Sequence, residues 1–286
     1  MTTYMEKYPR RNGVATKKPG FWKRLIKGII PWKGDSVAAV IRKLVFIIAL
    51  IIFLATAIPL VSDVFMMFRD QWRSQGISNI YIPDGNNGGA SKEILPSFKK
   101  LLEINPDTVG YLKIDGTAID YPVVKGKDND YYLTHDFYGE KSKSGSVMMD
   151  CNCVVSPDGN SGNMVLYGHN MANGSMFATL HRFYDADFFN KNRYIYVYTP
   201  DRKLTYEIVS AFEYDNRHIM NSFDFSDDNV FSDYLNMIKN PHSVSVNKRN
   251  TELTTDDKIL VLSTCLNSGD GRYLVQGVLK KDEPTK

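Results

Sequence analysis

Cys265 is the residue of this sequence that is best placed to act as a nucleophile. It follows the apolar run Ile259–Thr264, where a predicted strand leaves the core and can present a side chain in a groove. A free thiol is only slightly ionised at neutral pH, so a working cysteine needs a base or a positive charge beside it. Because a lone cysteine after a strand is more often a small buried hydrophobic residue, the assignment depends on its neighbours.

His169 is the candidate acid/base group among the five histidines of the sequence. It lies in a Gly-rich loop after a predicted strand, Tyr167–Met171, and such a loop can direct an imidazole at the floor of a groove. The other histidines fall in a helical pattern, in a turn after a proline and in two polar loops: His181, His242, His135 and His218.

Arg272 begins the next predicted strand, seven residues after Cys265 and across the turn Asn267–Gly271. A tight connection between antiparallel strands places the two side chains at the same end of the sheet. A guanidinium there can hydrogen-bond an oxyanion or fix a peptide carbonyl. The alternative is a strand-edge arginine paired with Asp270.

The three cysteines do not form a disulfide framework for a domain of this size. Cys151 and Cys153 would close a small, strained ring if they were bridged, so all three are predicted to be thiols. Without further ligands near that pair, the sequence predicts neither a metal site nor a cofactor.

Short β-strands must position these residues. Runs rich in Val, Ile and Tyr alternate with turn residues and predict eight strands: Val109–Ile114, Ala118–Val124, Ser146–Met149, Asn163–Tyr167, Tyr194–Thr199, Leu204–Tyr214, Ile259–Ser263 and Arg272–Leu279. With few helices between them, these strands favour a mostly antiparallel barrel over a parallel sheet.

Three helices are predicted around and between the strands. One starts at Ser91 or Lys92 and ends at Asn105, before a proline. The others are Ser175–Tyr184 and Asp227–Lys239. The last is amphipathic, and its polar face is predicted to border the substrate groove.

The positive charge of the chain is concentrated in its first 43 residues, where eleven Lys or Arg face two acidic residues and give a net charge of +9. The whole chain carries +3, so the remainder carries −6. The main body is therefore mildly acidic and offers no basic surface for nucleic acid.

A charge-free run of 19 residues, Leu44–Ser62, predicts a transmembrane helix. At roughly 1.5 Å per residue it reaches about 28 Å, close to the roughly 30 Å of a hydrocarbon core. A cleaved signal peptide is the alternative, with Ala55–Ala57 as a cleavage site, but the run is longer than a signal-peptide core. The flanking basic residues predict a cytoplasmic tail (1–43), an anchor (44–62), a membrane-proximal linker (63–91) and an extracellular domain (92–286).

Several separated motifs resemble those of sortases. They are Leu262–Cys265, with Arg272 a short loop later, and Tyr167–Met171 about a hundred residues earlier. Four further segments are similar to class B sortases: Asn105–Ile114, Ile119–Val124, Asp130–Leu133 and the predicted helix Asp227–Lys239. The resemblance covers roughly residues 92 to 280.

The resemblance implies a mostly β fold, a closed eight-stranded barrel with a few short helices, here preceded by one N-terminal transmembrane helix. It implies catalysis by His169, Cys265 and Arg272 without a cofactor, and substrate binding by the flanking Tyr167, Asn170, Ser263 and Thr264. The implied partners are secreted proteins with a C-terminal sorting signal, often Asn-Pro-x-Thr-x in class B, and an amine of peptidoglycan or its precursor. The short interval from Cys265 to Arg272 departs from several relatives.

Two other readings share part of these features. A membrane-anchored hydrolytic cysteine peptidase would also use a thiol and an imidazole, but papain-like enzymes place Cys before His, whereas His169 precedes Cys265 by 96 residues. An L,D-transpeptidase would have a histidine close to its cysteine. A non-enzymatic anchored binding domain would leave Cys265 and His169 unpaired.

Overall fold

The computed structural model describes residues 20–80, 96–153, 155–156, 159–160 and 163–284. The chain divides into two compact units, Met1–Val64 and Phe65–Lys286. The predicted linker segment Pro83–Ser91 and the predicted helix start at Ser91 or Lys92 lie outside the described residues.

The first unit contains helix α1 (Phe21–Ile29) and most of the long helix α2 (Val37–Ile80). Lys43 links the two, because its Nζ bonds Asp35 at 2.7 Å and the Lys27 carbonyl at 2.6 Å. Within the described part of the chain, α2 is the one helix long and apolar enough to cross a membrane. It contains the predicted span Leu44–Ser62, and it continues through the first part of the predicted linker to Ile80.

The second unit is built on eight barrel strands, and all eight were predicted from the sequence. They are β1 (Thr108–Lys113), β2 (Asp120–Val124), β3 (Val147–Met149), β6 (Asn163–Tyr167), β7 (Tyr194–Tyr198), β8 (Arg202–Tyr214), β10 (Ile259–Cys265) and β11 (Arg272–Pro284).

Strand pairing closes the barrel. The order is β11-β10-β6-β3-β2-β1-β7-β8, and β8 pairs again with β11. The pairs β2–β3 and β6–β10 are parallel and the others are antiparallel, which confirms the mostly antiparallel barrel. The closing pair is long, since β8 and β11 pair from Arg272↔Tyr214 to Pro284↔Arg202, with two register shifts after Gln276 and Leu279.

Three short strands were not predicted: β4 (Val155–Ser156), β5 (Gly159–Asn160) and β9 (Val246–Lys248). The first two pair with each other through Val155↔Asn160 and Ser156↔Gly159. β9 extends the sheet beside β8. β4 and β5 have only two residues each, too few to show a period-2 pattern. β9 has one apolar residue among three, whereas all three residues of the predicted β3 are apolar.

The described helices of this unit are α3 (Pro96–Ile104), α4 (Ala186–Lys191), α5 (Ile219–Ser222) and α6 (Asp228–Lys239), with 3-10 helices at Tyr131–Leu133 and Ala178–Tyr184. The predicted helix α6 is confirmed, and Asp227 caps it by accepting from the backbone N–H groups of Asn229 and Val230. The predicted helix Ser175–Tyr184 is instead a 3-10 helix, which begins only after Met176, whose φ of 55° is left-handed.

The main core fills the barrel and the space under α6. Its largest side chains that are fully buried include Tyr206, Tyr234, Phe212 and Phe183. The strand that carries Cys265 is almost entirely buried before it reaches that residue. Cys265, the last residue of β10, is therefore the one residue of that strand that is partly exposed.

Candidate active site

Cys265 lies at the end of β10, opposite Arg272 at the start of β11. Between them the chain turns through Leu266, whose N–H bonds the Gly271 carbonyl at 3.2 Å. Gly271 has a φ of 110°, and a Cβ there would come within 2.8 Å of the Tyr214 carbonyl. The turn that fixes the Cys265–Arg272 register therefore requires glycine at this position.

The Arg272 guanidinium lies directly against the thiol. Its Nη1 donates to Cys265 Sγ at 3.2 Å and to the Gly271 carbonyl at 3.3 Å. A guanidinium carries five N–H donors on three nitrogens, and these contacts use one nitrogen. Arg272 is thus placed to donate to an oxygen that develops negative charge near Cys265.

His169 lies in the loop after β6, half-buried, and its Nε2 donates to the Leu133 carbonyl at 2.8 Å. A carbonyl oxygen only accepts, so Nε2 carries the hydrogen. Among the described hydrogen bonds, none joins either ring nitrogen of His169 to the Cys265 thiol. Catalytic hydrogen bonds are often long in a ligand-free site and tighten when substrate binds.

One groove of about 340 Å³ contains all three residues. Its other lining residues are Asn129, Asp130, Leu133, Met148, Tyr167, Gly168, Tyr214, Asn216, Arg217, His218, Ile219, Ser263, Thr264 and Leu274. One wall of the groove is formed by the end of β8 and the loop after it, residues 214–219, whereas the sequence predicted α6 there. No described residue of α6 lines this groove, so the prediction that its polar face borders the groove is wrong. Its apolar face, including Phe231 and Leu235, is buried in the core, as predicted.

Three hydrogen bonds join the histidine loop to the cysteine strand. Gly168 N–H donates to the Ser263 carbonyl at 3.3 Å, and Thr264 Oγ1 donates to the Gly168 carbonyl at 2.8 Å. Asn170 Nδ2 donates to the Cys265 carbonyl at 3.1 Å. Gly168 has no room for a side chain, since a Cβ would lie 2.6 Å from the Phe177 ring.

Four residues were predicted to bind substrate, and two of them take part in these hydrogen bonds through their side chains. Tyr167, Ser263 and Thr264 line the groove, and Asn170 lies beside it. The polar atoms of Thr264 and Asn170 are already engaged in holding the two loops together. Their geometry supports a role in positioning, and substrate contact by the four residues stays a prediction.

Asp150 is a buried carboxylate behind the groove, and it was not predicted from the sequence. Asp150 is fully buried and accepts from Tyr167 Oη at 2.8 Å and from His218 Nε2 at 2.9 Å. Burial and the nearby carboxylate raise the pKa of Tyr167, so its hydroxyl stays protonated and donates. An acidic residue directly after the predicted strand Ser146–Met149 was the available signal.

His181 falls in a helical pattern of the sequence, and the structure gives it a specific contact. It is half-buried, and its Nε2 bonds the Cys265 carbonyl at 3.1 Å. Nothing in the sequence marks this contact, because His181 and Cys265 lie 84 residues apart. It depends on the 3-10 helix that replaces the predicted α-helix.

The other two cysteines are free thiols, as is Cys265. Cys153 is buried, and burial raises its pKa to about 12. Within the described ranges, no group of three or more His, Cys, Asp or Glu side chains could hold a metal ion. A second cavity of about 330 Å³ lies beside Tyr121 and Asp136, and none of its lining residues is a cysteine or a histidine.

Comparisons with known proteins place the sequence and the fold in one family. The sortase domain family model matches residues 112–280. Sortase B of Listeria monocytogenes is 34% identical over 204 residues, which is 70% of this chain and 80% of that protein. The crystal structure of sortase B from Bacillus anthracis has a TM-score of 0.66 and 32% identity, and covers 76% of this chain and 99% of that one. A Staphylococcus aureus sortase B–substrate complex has a TM-score of 0.59 and 30% identity, and covers 66% and 87% of the two chains.

The chain belongs to the sortase family of cysteine transpeptidases. Within that family it is a class B sortase, which anchors proteins to the cell wall and acts on sorting-signal substrates. The hydrolase and binding-domain readings are not favoured.

Proposed function

We propose that Cys265 is the nucleophile, His169 the general acid and base, and Arg272 the oxyanion donor of this transpeptidase. The observation that carries the proposal is the 3.2 Å contact between Arg272 Nη1 and Cys265 Sγ in a groove that also contains His169. A nucleophile and an electrophilic donor are thereby on the same side of the space that a scissile carbonyl would enter.

In the first half of the proposed reaction, the Cys265 thiol gives its proton to His169, and Sγ attacks the carbonyl carbon of the scissile peptide bond. A carbon–sulfur bond forms, and the negative charge that develops on the carbonyl oxygen is stabilised by Arg272. The carbon–nitrogen bond then breaks, and His169 gives a proton to the leaving amine. The product is a thioester between Cys265 and the substrate.

In the second half, an amine attacks the thioester and His169 accepts its proton. The new amide forms, and the sulfur of Cys265 leaves. No described hydrogen bond occupies Nδ1 of His169, because the bond to the Leu133 carbonyl uses Nε2. Nδ1 is therefore the nitrogen that the described arrangement leaves for proton transfer.

The partners proposed for this site are a secreted protein with a C-terminal sorting signal and an amine of peptidoglycan or its precursor. The substrate-bound Staphylococcus aureus sortase B supports the first. The second follows from the need of a transpeptidase for an amine acceptor. Tyr167, Asn170, Ser263 and Thr264 are proposed to border the bound signal.

We also propose that residues 44–62 anchor the enzyme in the cell membrane, with residues 1–43 cytoplasmic and the catalytic domain, residues 92–286, outside, joined by residues 63–91. The exposed apolar surface of α2 and the basic residues before it support this arrangement. Protease treatment of intact protoplasts tests it. Digestion of the tail, and not of the catalytic domain, would mean an inverted orientation.

The reaction is tested with a fluorescence-quenched sorting-signal peptide, with and without an added amine. The expected result is an acyl adduct on Cys265, trapped by mass spectrometry, and an amide product that increases with the amine. Hydrolysis alone at high amine concentration would contradict transpeptidation. An adduct on Cys151 or Cys153 would contradict the assignment of the nucleophile.

A further inference from the structure

Two side chains hold the carbonyl oxygen of Cys265. Asn170 Nδ2 and His181 Nε2 each donate to it at 3.1 Å. The parallel ladder between β6 and β10 ends two residues earlier, at the pair Tyr167↔Ser263. Beyond the end of the β6–β10 pairing, side-chain donors from Asn170 and His181 therefore take the place of backbone donors from β6.

His181 reaches this carbonyl from outside the groove. It lies on the 3-10 helix Ala178–Tyr184, and its ring stacks on Tyr273 with the ring centroids 5.2 Å apart. Tyr273 pairs with Thr264, so the imidazole packs against the two strands that carry Cys265 and Arg272. His181 is not a lining residue of the groove and does not touch the space that a substrate would occupy.

The protonation state of His181 suits a fixed donor. Burial lowers its pKa, and the Cys265 carbonyl and Glu213 oppose that shift. The neutral ring must carry its hydrogen on Nε2, because the Cys265 carbonyl can only accept. Nδ1 is then unprotonated, and among the described residues it is buried without a hydrogen-bond partner. A second proton would have to be placed at that buried nitrogen, at a cost in free energy.

We propose that His181 is a positioning residue, which fixes the backbone of Cys265 through its carbonyl so that Sγ stays beside Arg272. The inference rests on the proposed role of Cys265 as nucleophile. A reacting atom misplaced by about 1 Å can cost on the order of 10² in rate, so this one bond affects the chemical step. Asn170 is the second donor and is adjacent to His169, so its bond links the histidine loop to the same carbonyl.

The test compares variants that keep or remove the donor. His181→Gln retains an N–H near the position of Nε2, whereas His181→Leu removes it at similar volume. In peptide turnover we expect H181L to lose roughly 10- to 100-fold in kcat with KM unchanged, and H181Q to stay within about 3-fold of wild type. His242→Leu, at an exposed histidine outside the groove, is the matched control.

A pH–rate profile separates positioning from proton transfer. The profile of H181Q should match that of wild type, and thermal unfolding should show that H181L is folded. If H181L does not fold, His181→Asn, whose shorter amide does not reach the carbonyl, replaces it and should show the same loss of kcat.

Wild-type kcat in H181L, or loss of a limb of the profile in H181Q, would overturn the inference. Failure of the proposed function would look different, because wild-type enzyme would then form no adduct on Cys265.

Discussion

Two thiols of this protein follow strands of the same sheet, and their surroundings differ completely. Cys265 ends β10, is half-exposed in a groove and receives a hydrogen bond from Arg272. Cys153 follows β3, is 2% exposed and lies beside the buried Asp150. The Cys265 thiol accepts a hydrogen bond from a guanidinium in an open groove, whereas the Cys153 thiol is enclosed near a buried carboxylate. Reactivity therefore depends on what lies at the end of a strand, not on the presence of a cysteine there.

The sharpest way to test this contrast is to remove each thiol in turn. Cys265→Ala should abolish peptide turnover and acyl-enzyme formation, because no other described thiol lines the groove. Cys153→Ala should keep turnover close to wild type. Mass spectrometry of the trapped intermediate and steady-state kinetics measure both, and turnover by C265A would reverse the roles of the two regions.

Removing the acid/base group should have the next largest effect. His169→Ala should lower kcat by about 10² to 10⁴, since proton transfer to the leaving amine typically contributes that factor. His135→Ala is the comparison variant, because His135 is a half-buried histidine outside the groove lining. Equal turnover in the two variants would remove His169 from the mechanism.

The identity of the cation should matter as well as its charge. Arg272→Lys should lose roughly 10²- to 10³-fold in kcat, because a flexible ammonium cannot reproduce the planar arrangement of donors. Arg193→Lys, at an exposed arginine paired with Glu207, should be neutral. Wild-type kcat in R272K would mean that charge alone suffices beside Cys265.

The smallest expected effect concerns alkaline pH. The pKa of Cys153 is raised to about 12 by burial, so the folded state favours the neutral thiol. Its contribution to stability is complete below the pKa of an unfolded cysteine, about 8.5, and is lost as pH rises toward 12.

When the pH is raised from about 9 to about 11, the midpoint temperature of thermal unfolding should therefore fall less in Cys153→Ala than in wild type. At pH 8 a maleimide should label Cys265 in native protein and Cys153 only after denaturation. Native labelling of Cys153 would contradict its burial.

Most of the barrel and the three proposed catalytic residues were predictable from the sequence. Runs such as Ile259–Ser263 are long enough to show a strand, and the glycines at Gly168 and Gly271 mark the loops beside His169 and Arg272. The 3-10 helix before α4 was not predictable, because it follows from the left-handed backbone at Met176. The contacts of His181 and Asp150 depend on tertiary packing between distant segments, which no local pattern encodes.

Closure of the barrel limits how a peptide can be recognised. Each of the eight barrel strands has a partner on both sides, and the unpaired edges lie elsewhere, at the outer side of β9 and at the end of β11 beyond its pairing with β10. β10, which carries Cys265, is paired with β6 and with β11, so it offers no free edge at the groove to which an extended peptide could add as a further strand. Ladder bonds of that kind, which bind peptides with little regard to sequence, are not offered by β10 to the sorting signal. Its affinity must come from side chains and loops in the groove, and peptides of scrambled sequence should lose nearly all binding.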